Sequence, residues 1–384
     1  MLFCIVAKGE NMETDERIAR YNEYRGFLNG GDALRTFFCL DPSSFASLYA
    51  GEQYGSPSLD DLMFFHRDFP SDAGISIPLD FEKNIPELRW KCGDTRKDAD
   101  GTVYREESIS TPEGVFNRVS ADRFGTTSWL VDPAVKTEDD FRLIDFYAEI
   151  IAENAGTIAD SVSRVPAMLE SRGIQPGATI LTAFEVFYLV DYPDMPVFFM
   201  DWKDRYLSSI EKVHRANLLL LEALAGVGIE IFYTGSAGME LLSPRIFEEA
   251  IVPFQREFND RVRKLGCSVV YHICGHSRQL IERKIIDRIR PTVFETCSGP
   301  PCGNNADLRK AVFGISEEII TKGNLPLELL LKGTPEQVAD GVTDIKKAVA
   351  GRRHIVGQAD ATILAGTPLG NIRSFMNAAD NSGG

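Results

Sequence analysis

Ser268-Val-Val-Tyr-His272-Ile-Cys274-Gly275-His276 decides how this chain is read. Its β-branched and aromatic start predicts a buried strand. Alternation along a strand turns His272 and Cys274 to one face, and Gly275 permits a sharp turn as the strand ends. Imidazole and thiol together form a soft donor pair that suits zinc better than magnesium or calcium. The plain alternative is a packed histidine beside an inert buried cysteine.

Reading outward, strand and helix signals alternate. Residues 229–235 form a β-branched and aromatic run closed by Gly235, and residues 244–264 follow as an amphipathic helix. After the quoted strand come a helix over 277–290 and a strand over 292–297, which ends in the loop Ser298-Gly-Pro-Pro-Cys-Gly303. A short helix over 307–312 leads to a strand over 318–323. Pro335 then opens a helix to residue 350 from a favourable first-turn position. Residues 353–357 make a last strand and 369–377 a closing helix. Such alternation indicates parallel βαβ units.

The middle of the chain fits the same scheme, with a strand over 178–185 and a long helix over 207–225. Residues 13–27 predict a leading helix and 32–40 the first core strand. Residues 90–131 do not fit. There Thr111-Pro-Glu-Gly114 is a turn signal between two strand-like runs, which predicts an antiparallel hairpin inserted outside the parallel core. The expected architecture is a (β/α)8 TIM barrel occupying the whole chain as one domain. It carries an N-terminal helical extension (1–30) and the hairpin insertion (90–131). An eight-stranded barrel needs about 250 residues, so a chain of 384 has room for both. A doubly wound open sheet is the competing architecture, but no glycine-rich dinucleotide or phosphate-binding fingerprint follows any strand.

Composition narrows the function classes. A net charge of −15 and a pI near 4.9 oppose nucleic-acid binding and attachment to an anionic membrane surface. No apolar run approaches the roughly 20 residues that span a bilayer. The short apolar start lacks a basic lead, so no signal peptide is expected and a cytoplasmic location is. Seven scattered cysteines, an odd number, oppose a disulfide framework. Four of them lie between 267 and 302, the clustering a site would produce.

In a barrel, the C-terminal ends of these strands converge at one mouth. His272 and Cys274 arrive on one strand, Cys297 on the next and Gln358-Ala-Asp360 on the last, with Lys322 and Asn324 on the strand between. Catalytic zinc wants three protein ligands and an open position. Cys297 and Asp360 are both credible third ligands, while Cys302 and His276 sit further into their loops. Against these stand a structural cysteine before a proline-rich turn and an aspartate that orders a loop. Glu185 closes an apolar strand and is a candidate base, hydrogen-bond acceptor or ligand. Phe187 and Trp202 are candidate pocket walls, and Asn324 a candidate substrate contact.

Several strings carry a family resemblance in order and spacing. They are Gly228-Ile-Glu-Ile-Phe-Tyr233, Leu242-Ser-Pro-Arg-Ile-Phe-Glu-Glu-Ala-Ile-Val-Pro-Phe254, His272-Ile-Cys-Gly275, Gly323-Asn-Leu325, Lys332-Gly-Thr-Pro-Glu-Gln337 and Gly366-Thr-Pro-Leu-Gly-Asn-Ile-Arg373. Over this region the chain resembles the uroporphyrinogen decarboxylase superfamily, above all its corrinoid-dependent methyltransferase branch. The first 90 residues match weakly. The resemblance implies a (β/α) barrel and, in that branch, zinc held by His-x-Cys and a later cysteine on the last strand. It also implies methyl transfer between a small substrate and a corrinoid carried on a partner protein.

Two ligands carry over, to His272 and Cys274. The third does not: where the branch often has Gly-Cys-Gly, this chain has Gln358-Ala-Asp-Ala-Thr362. Asp360 would replace sulfur with oxygen, or Cys297 would supply sulfur from the neighbouring strand. The expected small substrate is a methoxylated aromatic, a methylamine or a thiol. Homodimeric pairing is consistent with barrels of this kind. The runner-up is a metal-independent decarboxylase of a tetrapyrrole-like polycarboxylate. That reading lacks the arginine-rich N-terminal motif, since residues 20–60 hold only Arg20, Arg25 and Arg35. A degenerate barrel that only binds a ligand is the non-enzymatic alternative.

Overall fold

The computed structural model describes residues 14–32, 36–51, 57–72, 74–123, 128–186, 188–359 and 362–380. Eight parallel strands make the core: β1 (Phe37–Cys39), β2 (Ile75–Ser76), β7 (Pro176–Thr179), β8 (Ile231–Ala237), β9 (Ser268–Cys274), β10 (Val293–Glu295), β11 (Ile320–Leu325) and β12 (His354–Gln358). They lie in the order β1-β12-β11-β10-β9-β8-β7-β2, the sequence of neighbours in a (β/α)8 barrel. The remaining strands, β3 (Lys91–Lys97), β4 (Val103–Thr111), β5 (Gly114–Asp122) and β6 (Trp129–Asp132), form a separate antiparallel sheet. The hairpin expected at Thr111–Gly114 is its β4–β5 turn.

Alternation sorts the core strands into two layers. Val269, Tyr271 and Ile273 of β9 face outward into the large cluster shared with the surrounding helices. Val270 faces inward with Phe37, Ile231, Val293, Ile320 and Ile355. The leading helix, Thr14–Leu28, closes that floor with Tyr24, Phe27 and Leu28. It is tied down where Tyr21 Oη donates to Glu230 Oε2 at 2.9 Å and Arg25 pairs with Glu230 Oε1 at 3.0 Å. With the floor sealed by apolar side chains, polar chemistry is confined to the opposite mouth.

The barrel seam lies between β1 and β2. No ladder joins them among the described residues; Asp72 does so instead. Its amide donates to Phe38 O at 2.8 Å and its Oδ2 accepts from Phe38 N at 2.9 Å. Arg20 Nε stands 3.5 Å from the other carboxylate oxygen. One buried aspartate thus satisfies both backbone groups that a neighbouring strand would otherwise pair.

Two expectations are corrected in detail. The strand expected over 178–185 ends at Thr179. Ile180 N still reaches Tyr233 O at 2.9 Å, then the chain turns, with Glu185 N bonded to Thr182 O at 2.9 Å. Buried turn and buried strand have the same apolar composition here, so pattern alone does not separate them. The helix expected over 277–290 is two short ones, Arg278–Glu282 and Ile285–Ile289, broken where Lys284 adopts φ 58°.

Arg118 docks the antiparallel sheet to the barrel. It stacks 3.9 Å over the Trp90 ring, bonds Glu107 Oε2 at 2.9 Å and donates to Tyr188 O at 3.0 Å.

Replacing Asp72 by Ala is expected to cost about 2–4 kcal/mol of stability, because it strips a charged acceptor from a buried N–H and leaves Arg20 without that partner. Urea unfolding measures it; a loss below about 0.5 kcal/mol would show that the seam does not depend on this side chain.

Candidate active site at the barrel mouth

Register builds the site. In the β9–β10 ladder His272 lies opposite Glu295, and in the β8–β9 ladder it lies opposite Gly235. A Cβ at Gly235 would come 2.8 Å from His272 O and 3.1 Å from His272 Cβ, so only glycine leaves room for the imidazole strand. His272 Nε2 is 3.1 Å from Cys274 Sγ, and Nδ1 is 3.2 Å from Glu295 Oε1. The second oxygen of Glu295 takes the ammonium of Lys322. Thiol, imidazole, carboxylate and ammonium therefore form one row across β9, β10 and β11.

Electrostatics follow from that row. For Glu295, burial alone would raise the pKa, but Lys322 and then His272 outweigh it and bring it down to about 2. Burial works against charge on His272, yet the adjacent Cys274 and Glu295 hold its pKa well above the ordinary value. Lys322 is likewise held high despite burial, by the surrounding Cys39 thiol and Glu295.

These groups open on a cavity of about 530 Å³. Its apolar wall includes Leu40, Leu62, Ile75 and Leu181, and its polar wall Ser76, Thr179, Tyr192 and Tyr233. Glu185 is buried at 4% exposure and lines the same cavity. It accepts a short hydrogen bond from Ala237 N and one from Tyr192 Oη at 3.3 Å. Burial, only partly offset by those donors, raises its pKa to about 7. A carboxyl group poised there can donate or accept a proton near neutrality.

The structure therefore brings together His272, Cys274, Glu185 and Lys322. It places three other candidates elsewhere. Cys297 is buried in the outer cluster, its thiol pushed up to about 12 by desolvation. Asn324 bonds Cys297 O at 2.7 Å. Trp202 packs against Phe141 and Phe198, with ring centroids at 5.9 and 5.4 Å. None of the three lines the cavity. Asp360 and Phe187 lie outside the described residues. Glu295 and Tyr192 escaped the sequence reading. Glu295 had a signal, being a charge at the inward parity of an apolar strand, two residues after Val293.

The donors present fit zinc in part. A His nitrogen and a Cys sulfur stand side by side, and the other ring nitrogen meets a carboxylate, the usual arrangement around a ligating histidine. Among the described residues no group of three or more His, Cys, Asp or Glu side chains gathers as a metal cluster.

A barrel with a histidine–cysteine pair at its mouth defines the class. The chain belongs to the uroporphyrinogen decarboxylase (URO-D) family, whose model matches residues 125–382. Among its relatives is the methylcobamide:CoM methyltransferase MtbA of Methanosarcina acetivorans, 26% identical over 147 residues, which are 38% of this chain and 40% of the relative. Another is the uroporphyrinogen decarboxylase of Prochlorococcus marinus, 25% identical over 168 residues, 43% of this chain and 44% of the relative. The matched stretch thus spans less than half of either relative's length. A solved methyltransferase from Methanosarcina mazei shares the fold, with a TM-score of 0.63 at 11% identity over 94% of this chain and 98% of that one. No helix among the described residues is long and apolar enough to cross a membrane.

Glu185 yields a pH prediction. Its folded pKa of about 7 lies above the ordinary 4.5, so the folded state binds more protons between those values and stability falls as pH rises through them. Glu185→Gln stays neutral and keeps the acceptor for Ala237 N. It is expected to be more stable than wild type by up to about 3 kcal/mol above pH 7, with the gain shrinking toward pH 5. Urea unfolding across that range checks it, and a gain independent of pH would refute the assignment.

Proposed function

We propose that this protein is a soluble zinc-dependent methyltransferase that moves a methyl group between a small substrate and a corrinoid protein. The observation that carries the reading is the His272–Cys274 donor pair, oriented by Glu295 and opening on the cavity. His272 Nε2 and Cys274 Sγ would hold the metal. Asp360, next after Ala359 beyond β12, is assigned the third position, since Cys297 packs in the outer layer. When bound, zinc would act as a Lewis acid on the heteroatom that carries or receives the methyl group.

The chain's own residues supply the rest. Glu185 holds a proton near neutrality beside the cavity and would pass it to, or take it from, the substrate heteroatom. Tyr192 steadies that carboxyl group through its hydroxyl. The apolar wall excludes water and receives the uncharged part of the substrate: a methoxylated aromatic, a methylamine or a thiol. The corrinoid partner would dock over the mouth, because the apolar floor closes the opposite end of the barrel.

A polycarboxylate substrate fits the cavity less well. Among its described lining residues no arginine is present, and its one lysine is already paired with Glu295. Several carboxylates entering there would meet the carboxyl groups of Asp41, Glu185 and Glu295, while Lys322 and His272 are already engaged with Glu295. These points favour the methyltransferase over the decarboxylase reading.

Elemental analysis of untagged protein is expected to give about one zinc per chain, reduced to background in Cys274→Ser and His272→Ala variants. Zinc-loaded wild type should transfer methyl groups to or from free cobalamin with one of the three substrate classes, and both variants should lose at least about 100-fold in rate. Wild type free of zinc after reduction and zinc supplementation would end the proposal, as would full activity in His272→Ala.

A further inference from the structure

Elsewhere on this acidic chain arginines meet carboxylates: Arg105 pairs with Asp122, Arg205 with Asp145 and Arg261 with Glu222. At the floor end of the barrel, on its outer side, three guanidinium groups share one open cavity of about 590 Å³. They come from three elements. Arg17 belongs to the leading helix, Arg67 to the helix Leu59–Asp68 that precedes β2, and Arg172 to the turn that enters β7. None of them lines the cavity at the mouth.

The backbone brings the three together. Gly173 adopts φ 69°, and a Cβ there would fall 2.5–2.8 Å from backbone atoms of Arg17 and Ile18, so the leading helix sits directly on the turn. Arg17 Nη2 donates to Arg67 O at 2.8 Å, which ties that helix to the second one. Arg67 is held flat. Its Nε and Nη2 donate to Asp68 at 2.8 and 3.2 Å, and it lies 4.4 Å from the centre of the Phe64 ring. That fork leaves Nη1 of Arg67 over. Among the described residues Arg172 has no carboxylate partner. Its Nη1 meets Met63 Sδ at 3.2 Å, a weak acceptor.

Against three guanidinium groups stand Asp60 in the lining and Asp68 on Arg67, which leaves positive charge in excess at the cavity. Burial, assisted by Arg67 and opposed by Asp68 and Glu16, holds the Arg17 pKa below its ordinary value. An oxygen-rich anion supplies what the cavity lacks. One guanidinium fork occupies a planar carboxylate, whereas a phosphate turns its oxygens in several directions and accepts from forks on separate elements. Met63, Phe64 and Ile174 give the same cavity an apolar side, and Phe64 is 39% exposed.

We propose that this cavity is a second binding site, which takes a phosphate dianion, free or as the phosphoryl group of a small molecule, on the guanidinium groups of Arg17, Arg67 and Arg172. The bound phosphate joins the leading helix, the helix Leu59–Asp68 and the turn before β7, and so secures the barrel floor. The site does not depend on the zinc reading.

Calorimetric titration at roughly 0.1 M chloride, which damps non-specific charge attraction, measures binding of inorganic phosphate, phenyl phosphate and benzoate. Wild type is expected to bind at least one of the two phosphates with a Kd below about 1 mM, and benzoate at least about 10-fold more weakly. Tighter binding of phenyl phosphate assigns an ester whose apolar part lies on Met63 and Phe64. Equal or tighter binding of inorganic phosphate assigns the free ion. Arg172→Gln gives up only the Met63 contact, so it should melt as wild type does without ligand. It is expected to bind phosphate about 10–100-fold more weakly, the worth of a hydrogen bond to a charged group. Arg172→Lys, which keeps the charge but not the fork, should lose less. Cys274→Ser should bind as tightly as wild type, because the mouth lies at the other end of the barrel. Saturating phosphate should raise the melting temperature of wild type by a few degrees and leave that of Arg172→Gln unmoved. No binding of either phosphate, benzoate bound as tightly as they are, or unchanged affinity in Arg172→Gln would overturn the proposal. Loss of binding in Cys274→Ser would place the phosphate at the mouth and overturn it as well.

Discussion

The in-register pairing of β9 with β10 and of β10 with β11 is the constraint on which the candidate site depends. Parallel ladders place inward residues of neighbouring strands side by side at a fixed spacing. Once Val270, Val293 and Ile320 are packed on the floor, the next inward position of each strand is settled: His272, Glu295 and Lys322. A slip of one residue in any of these strands would turn its polar residue into the outer cluster and an apolar one into the cavity. The floor contacts thus specify the geometry of the mouth.

The same packing explains the charge states. His272, Glu295 and Lys322 are largely buried above the apolar floor, so each is governed mainly by its neighbours. Glu295 is ionised because Lys322 and His272 flank it. Glu185, in the wall of the same cavity, accepts from the Ala237 amide and the Tyr192 hydroxyl, and burial keeps it near neutral. Two carboxylates in one cavity are driven apart by their surroundings, which is how a site obtains a fixed charge and a movable proton from one residue type.

The sequence was most legible where periodicity and punctuation agree. Residues 229–235, 268–274 and 353–357 read as strands because β-branched runs end at glycine or a polar residue, and the barrel follows from their spacing. The His272–Cys274 pair was legible for the same reason: strand alternation is local. Glu185 was recognised as a site candidate but set on the end of a strand, because a buried turn such as 181–185 is as apolar as a strand. Cys297 and Trp202 look like ligand and pocket wall by residue type. Which side of a short strand or helix they occupy depends on packing that no local pattern encodes. Glu295 escaped because its significance is a cross-strand relation, and register between strands 20 or more residues apart is not written in either strand.

Were Asp360 to complete the proposed zinc site, its oxygen would set the chemistry of that site. An oxygen donor supplies less electron density to zinc than a thiolate does, and would leave the ion more electrophilic. A more electrophilic zinc polarises an ether oxygen or an amine strongly, whereas it damps the nucleophilicity of a bound thiolate. The cavity points the same way. Its carboxyl groups Asp41, Glu185 and Glu295 outnumber its one ammonium, and that ammonium and His272 are both engaged by Glu295, so it would offer less to an anionic thiol substrate than to a neutral ether or an amine. Within the proposed function, donor set and cavity charge, two features with separate physical origins, would both favour a small substrate that gives up its methyl group.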